Sequence, residues 1–269
     1  MALLRRVFLP LTLAACSPAP ASTEEILQTV QEMLDQGRAM AIENDVVALA
    51  ANVDPGGEPA ALRDAVAAAI ARDVACAVVT LEEPEAVQVV FADGCIAHGR
   101  ALSGGLTATF RRPIAELVVT LTLQTLVRDE ITLSGSTQVS WAEDGTQRLV
   151  GDLRLDIEAP DPDMPARQIE IQSDRIQRPY RGIRQVDGWQ RWQTQLGKWK
   201  AEIAGWDLAS GTTLPLRGWT VVDTPYEHDV ILDHRDIGDG AIELRANGGR
   251  ADRVIEVAAD GTITDLGDD

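Results

Sequence analysis

From residue 76 onward the chain repeats one pattern: runs of about five to nine residues with alternating apolar and polar side chains, broken by turn dipeptides. Alternation places successive side chains on opposite faces of a strand, so each run buries one face and leaves the other polar. Leu117, Val119, Leu121 and Leu123 interleave with Val118, Thr120, Thr122 and Gln124. Ile131 and Leu133, then Val139 and Trp141, then Leu153, Leu155 and Ile157, then Ile169 and Ile171 continue it. Turn signals are Ala92-Asp93-Gly94, Asp144-Gly145, Asp187-Gly188, Asn247-Gly248-Gly249 and Asp260-Gly261. No helix-length segment lies between the runs, which argues against a parallel βαβ sheet. The expected fold class is mainly β: an antiparallel meander, or a twisted open sheet or sandwich, over residues 76–269.

An α-helical segment precedes it, over residues 23–75. Ser22-Thr23-Glu24-Glu25 has the form of a capping box. Ile26, Leu27, Val30, Met33 and Leu34 follow at helical spacing, and Gly37 is expected to end or interrupt that helix. Asp54-Pro55-Gly56-Gly57 is a break, and Pro59 suits the first turn of a further, alanine-rich helix through Val74. Two or three helices packed on the β domain are expected, because Ala-rich helices this short are marginal alone.

Residues 189–206 admit two readings. Trp189, Trp192, Leu196, Trp199, Ile203 and Trp206 form a heptad-like stripe. Gly197 and Gly205 oppose a helix, Lys198, Lys200 and Glu202 alternate with Trp199, Ala201 and Ile203, and Asp187-Gly188 signals a hairpin. Strands are the favoured reading.

The amino terminus carries an address. Arg5 and Arg6 are followed by the nine apolar residues Val7–Ala15, too short to span a bilayer, which takes about 20. The run ends Leu13-Ala14-Ala15-Cys16. This resembles the lipobox of bacterial lipoproteins, in which the cysteine thiol receives diacylglycerol. The resemblance covers the first 16 residues and implies cleavage of residues 1–15, lipid attachment at Cys16 and a Pro-rich tether over residues 16–22. It places the protein in the cell envelope, the outer membrane by one sorting rule since Ser17 is not aspartate. Cys76–Gly104 is weakly similar to bacterial lipoproteins of no assigned activity.

Removing Arg5 and Arg6 from 24 basic residues leaves 22 against 42 acidic, a formal charge of −20. Such acidity disfavours nucleic acid and anionic lipid surfaces as partners. In an oxidising compartment Cys76 and Cys95 are expected to form a disulfide, since a hairpin of Ala77–Leu81 with Val87–Phe91 brings them close.

Candidate chemistry is sparse. His98 lies near Ser103 and Asp93, without the G-x-S-x-G context of a nucleophile elbow. His228, Asp233, His234 and Asp236 are the densest cluster of metal-ligand types, though solvated strand ends also explain them. Asp233, Asp236, Asp239 and Glu243 lack EF-hand spacing for calcium. Trp189, Trp192, Trp199 and Trp206 suit either a core or an aromatic binding surface. The expectation is therefore a lipid-anchored envelope protein of binding or structural type, without a cofactor, whose partner is an envelope protein, a glycan or an apolar small molecule. The alternatives are a hydrolase or carbohydrate-active enzyme, and a carrier whose half-open β fold holds an apolar ligand among the tryptophans.

Overall fold

The computed structural model describes residues 21–50, 56–82, 84–97, 99–113, 116–142, 144–158, 166–180, 183–209, 213–226, 228–247 and 252–268. Cys16, with the rest of the segment read as an export signal, and His98 lie outside them, as does the expected Asn247-Gly248-Gly249 turn beyond its first residue. The order is α1 (Thr23–Ala50), α2 (Pro59–Asp73), β1 (Ala77–Glu82), β2 (Ala86–Ala97), β3 (Arg100–Arg111), β4 (Leu117–Arg128), β5 (Ile131–Trp141), β6 (Gln147–Ile157), β7 (Arg167–Tyr180), β8 (Ile183–Thr194), β9 (Gly197–Leu208), β10 (Arg217–Asp223), β11 (Asp229–Gly238), β12 (Ala241–Asn247), β13 (Asp252–Val257) and β14 (Ile263–Asp268). Among the described residues the fourteen strands form a single sheet, each antiparallel to its sequence neighbour, in the order β1 to β14. It is the open meander that the alternation implies.

The alternation also fixes what faces inward. Val87, Val89 and Phe91 of β2, Leu133 and Val139 of β5, Leu149 and Leu155 of β6, and Leu232 of β11 are all buried. They form one core with the buried residues of the helices, α2 packing against β1–β3 and α1 against β5. The helix buries residues around most of its circumference, from Ile26, Val30 and Leu34 to Met40, Ile42, Val46 and Val47. Fully burying an aliphatic side chain of this size contributes roughly 1.5–3 kcal/mol. The enclosure of α1 is thus a main source of the fold's stability.

The predicted capping box forms: Ser22 Oγ accepts from the Glu25 amide at 3.2 Å, and the Ser22 amide donates to Glu25 Oε2 at 2.6 Å. Gly37 does not end the helix. It lies inside α1 where the backbone of the β9–β10 connection crosses, and a Cβ there would sit 1.7 Å from the Thr213 carbonyl oxygen. Its lack of a side chain serves this close approach.

Two turn signals prove to be irregularities within strands. At Ala92-Asp93-Gly94 the register steps from Phe91 opposite Gly104 to Cys95 opposite Leu102, so four residues of β2 span two of β3. The strand bulges and continues to Ala97, since the inward-facing Cys95 keeps it paired. At Asp187-Gly188 the register of β8 on β9 also shifts. Asp187 Oδ1 accepts from the Gly205 amide at 2.9 Å, so its carboxylate braces the bulge on the neighbouring strand. The β8–β9 hairpin instead turns between Thr194 and Gly197, where Leu196 N donates to Thr194 Oγ1 at 3.1 Å. Residues 189–206 are accordingly two strands, with the glycines at the turn and the bulge.

Candidate functional site

Cys76 and Cys95 are joined by a disulfide, with their Cα atoms 5.4 Å apart. It ties the residue before β1 to the bulged half of β2.

The aromatic stripe divides between the faces of the sheet. Trp192 and Trp199 are opposite each other in register and stack with centroids 5.9 Å apart, and Tyr226 meets Trp199 edge-on at 6.0 Å. Trp206 is fully buried and its Nε1 donates to Thr220 Oγ1 at 3.0 Å. These three tryptophans belong to the core. Trp189 is half-buried on the outer face, with the Arg191 guanidinium 4.9 Å from its ring centre. Trp219, which the stripe did not include, is 50% exposed on that same face.

The histidine–aspartate cluster separates. His234 points inward from β11, next to Trp206 and within 3.1 Å of Thr220 Oγ1 through Nε2. Burial alone pushes its pKa down to about 3, so the ring is neutral. Asp233 points outward from the same strand, as strand alternation requires, and Asp236 accepts from the Gly238 amide in a bend. His228 precedes the strand and lies 3.9 Å from Glu25 at the start of α1. Among the described residues no group of three or more His, Cys, Asp or Glu side chains is placed to hold a metal ion. Asp93 is exposed on the β2 bulge and Ser103 half-buried on β3.

What the sequence pattern does not single out is an ionic seam between α1 and the sheet. Glu32, Asp35, Glu43 and Asp45 are all buried on the helix. Arg167 of β7 donates to Glu32 Oε1 at 2.6 Å and also to Asp35, which Arg38 approaches at 3.4 Å. Arg175, fully buried on β7, donates to Glu43 Oε2, and Thr137 of β5 donates to Glu43 Oε1 at 2.7 Å. Arg128, at the end of β4, donates to Asp45. Four carboxylates thus meet four guanidinium groups, which is how a low-dielectric interior accepts charge. Burial pushes the pKa values of Glu32 and Asp35 upward, opposed chiefly by Arg167.

The sheet floor is shaped for this seam. Thr137, Gly151, Ser173 and Gln190 are mutually paired in one row across β5 to β8. A Cβ on Gly151 would lie 2.8 Å from Ser173 Oγ and 3.3 Å from Glu43 Oε1, so the glycine leaves the space that the carboxylate fills. One signal for the seam was present in the sequence. A helix apolar on several sides must be buried all round, and its charges then require partners.

Two cavities adjoin these elements. A groove of about 690 Å³ runs beside Asp152, Arg154, Glu170, Arg191 and Lys198 on the outer face, with Trp192 and Trp199 among its lining residues. A second, of about 780 Å³, opens where the sheet curls round α1. Its walls come from α1 (Ala41, Ile42), from the β4–β6 side (Ile131, Ile157) and from the β10–β13 side (Leu216, Ile242, Val257). Arg38, Arg100 and Arg128 also line it. Trp192, Trp199 and Trp206 are part of the buried apolar cluster between the helices and the sheet.

No protein-family model matches the chain, and neither a curated protein nor a solved structure is detectably similar to it.

Proposed function

We propose that this is a lipid-anchored binding protein of the bacterial cell envelope. The observation that carries the reading is the Cys76–Cys95 disulfide, which belongs to an oxidising compartment and agrees with an export signal ending at Cys16. The binding role rests on the mouth cavity, whose walls come from both flanks of the sheet and from the helix it encloses. The buried carboxylates favour binding over catalysis, because each is paired with a guanidinium and shut away from substrate. The helix begins at Thr23, a short tether after Cys16, so the anchor would hold the domain close to the membrane surface.

The test is intact mass and membrane partitioning of the full chain expressed in a bacterial host, beside a Cys16→Ser variant. A diacylglyceryl-type mass increase and membrane sedimentation, both lost in the variant, are expected. An unlipidated wild-type chain that stays in the soluble fraction would overturn the reading.

A further inference from the structure

We propose that the mouth cavity binds a single-chain amphiphile with an anionic headgroup, and that Arg128 anchors the head. The first support is shape. At about 780 Å³ the space is within the range of small-molecule sites, roughly 300–1,000 Å³, and takes one chain rather than a multi-chain lipid. The second is wall chemistry. Ile42, Ile131, Ile157, Leu216, Ile242 and Val257, drawn from α1 and both flanks of the sheet, give the lining an apolar part that suits an alkyl chain beside its polar part.

The third is the position of the charges. Arg128 is 6% exposed, yet lines the cavity. One nitrogen of its guanidinium donates to Asp45, while Nε and Nη1 are buried without a hydrogen-bond partner. Unpartnered buried N–H groups on a cation carry a free-energy cost, which a carboxylate or phosphate oxygen would relieve. Arg38 and Arg100, both half-buried, add positive charge to the lining. The acids that share the cavity, Asp129, Glu130 and Asp260, are exposed at turn tips, where water and salt screen them. Guanidinium groups inside, Arg128 shared with Asp45 and Arg38 with Asp35, and screened carboxylates at the rim would select an anion that brings its own apolar tail.

The inference deepens the binding-protein reading and rests on it, but is independent of lipid at Cys16. The experiment is isothermal titration of the disulfide-bonded chain with dodecanoate and, separately, with dodecyltrimethylammonium. Dodecanoate is expected to bind at one site per chain, at least about tenfold more tightly than the cationic analogue, the scale of one charged hydrogen bond. Ala101→Trp and Ala259→Trp place bulk on opposite walls at exposed positions. Each is expected to weaken dodecanoate binding at least about tenfold while leaving the circular dichroism spectrum unchanged, as filling a pocket should. Absence of saturable binding, equal affinity for the two head groups, or binding untouched by both tryptophans overturns the site. Because lipidation is read by mass, a lipidated chain that ignores dodecanoate loses this site alone, and an unlipidated chain that binds it loses the anchoring alone.

Discussion

Arg175 and Glu43 meet between the sheet and α1 as a hydrogen-bonded ion pair whose side chains are 0% and 3% exposed. Desolvating two charges this far is tolerated only with both present. Glu43→Leu or Arg175→Leu alone should destabilise the protein by about 3–5 kcal/mol, because the remaining partner becomes an uncompensated buried charge. The double variant Glu43→Leu with Arg175→Leu should lie nearer wild type than either single change. Urea midpoints followed by tryptophan fluorescence measure all four corners. A double variant that simply sums the two losses would show that the pair does not act as a unit.

Gly37→Ala tests the helix crossing. Helix propensity by itself promises a gain of about 1 kcal/mol for this change. The added Cβ would lie 1.7 Å from the Thr213 carbonyl oxygen, so the backbone of the β9–β10 connection must move. The net result should be a loss of about 1–3 kcal/mol, the range for overpacking. A stabilised variant in thermal or urea unfolding would contradict the crossing geometry.

These outcomes mark how far the sequence could be read. The capping box at Ser22 and Glu25 was legible because both partners lie within one turn. The β class was legible from alternation, which needs no partner at all. The Asp93-Gly94 and Asp187-Gly188 pairs misled, because a glycine with positive φ serves a bulge as well as a turn, and only the register of the facing strand decides. Which arginines complete the seam was not legible for a related reason. The arginines that neutralise Glu43, Asp35 and Asp45 are 132, 132 and 83 residues away in sequence. In isolation those carboxylates look like the solvated side of an amphipathic helix. The histidine–aspartate cluster showed the converse, since adjacency along β11 sends Asp233 and His234 to opposite faces.

Stability should respond to pH through His234. Its pKa falls from 6.5 in the unfolded chain to about 3 in the folded one. As pH drops below 6.5 the unfolded chain takes up the proton first, so folding weakens, by at most about 1.4 kcal/mol per pH unit for one proton. Glu32 and Asp35 act in the opposite sense, because their folded pKa values are raised and the folded protein protonates first. Comparison with His234→Gln isolates the histidine. The stability difference between wild type and variant should move against wild type by about 2 kcal/mol between pH 7 and pH 5. An unchanged difference would mean that the ring is not held neutral.

Reducing the Cys76–Cys95 bond should lower stability by about 3 kcal/mol, as expected for opening a loop of this size. Urea unfolding with and without dithiothreitol measures it. The paired Cys76→Ser and Cys95→Ser variant should match the reduced wild type and be indifferent to reductant. A larger loss would mean that β1 and α2, which pack together, depend on the bond for their docking.

The enclosure of α1 sets an order of assembly. The helix is the first described element of the chain, yet its side wall is completed by the last turn, where Gly261 lies against Leu34 and Arg38. During synthesis or export from the amino terminus, α1 therefore emerges long before the surfaces that shield its carboxylates. The fourteen strands can zip sequentially, each onto its predecessor, since every pairing is between sequence neighbours. The helix then acts as a mandrel that waits for its sleeve: the amino-terminal part of the fold is made first and sealed last.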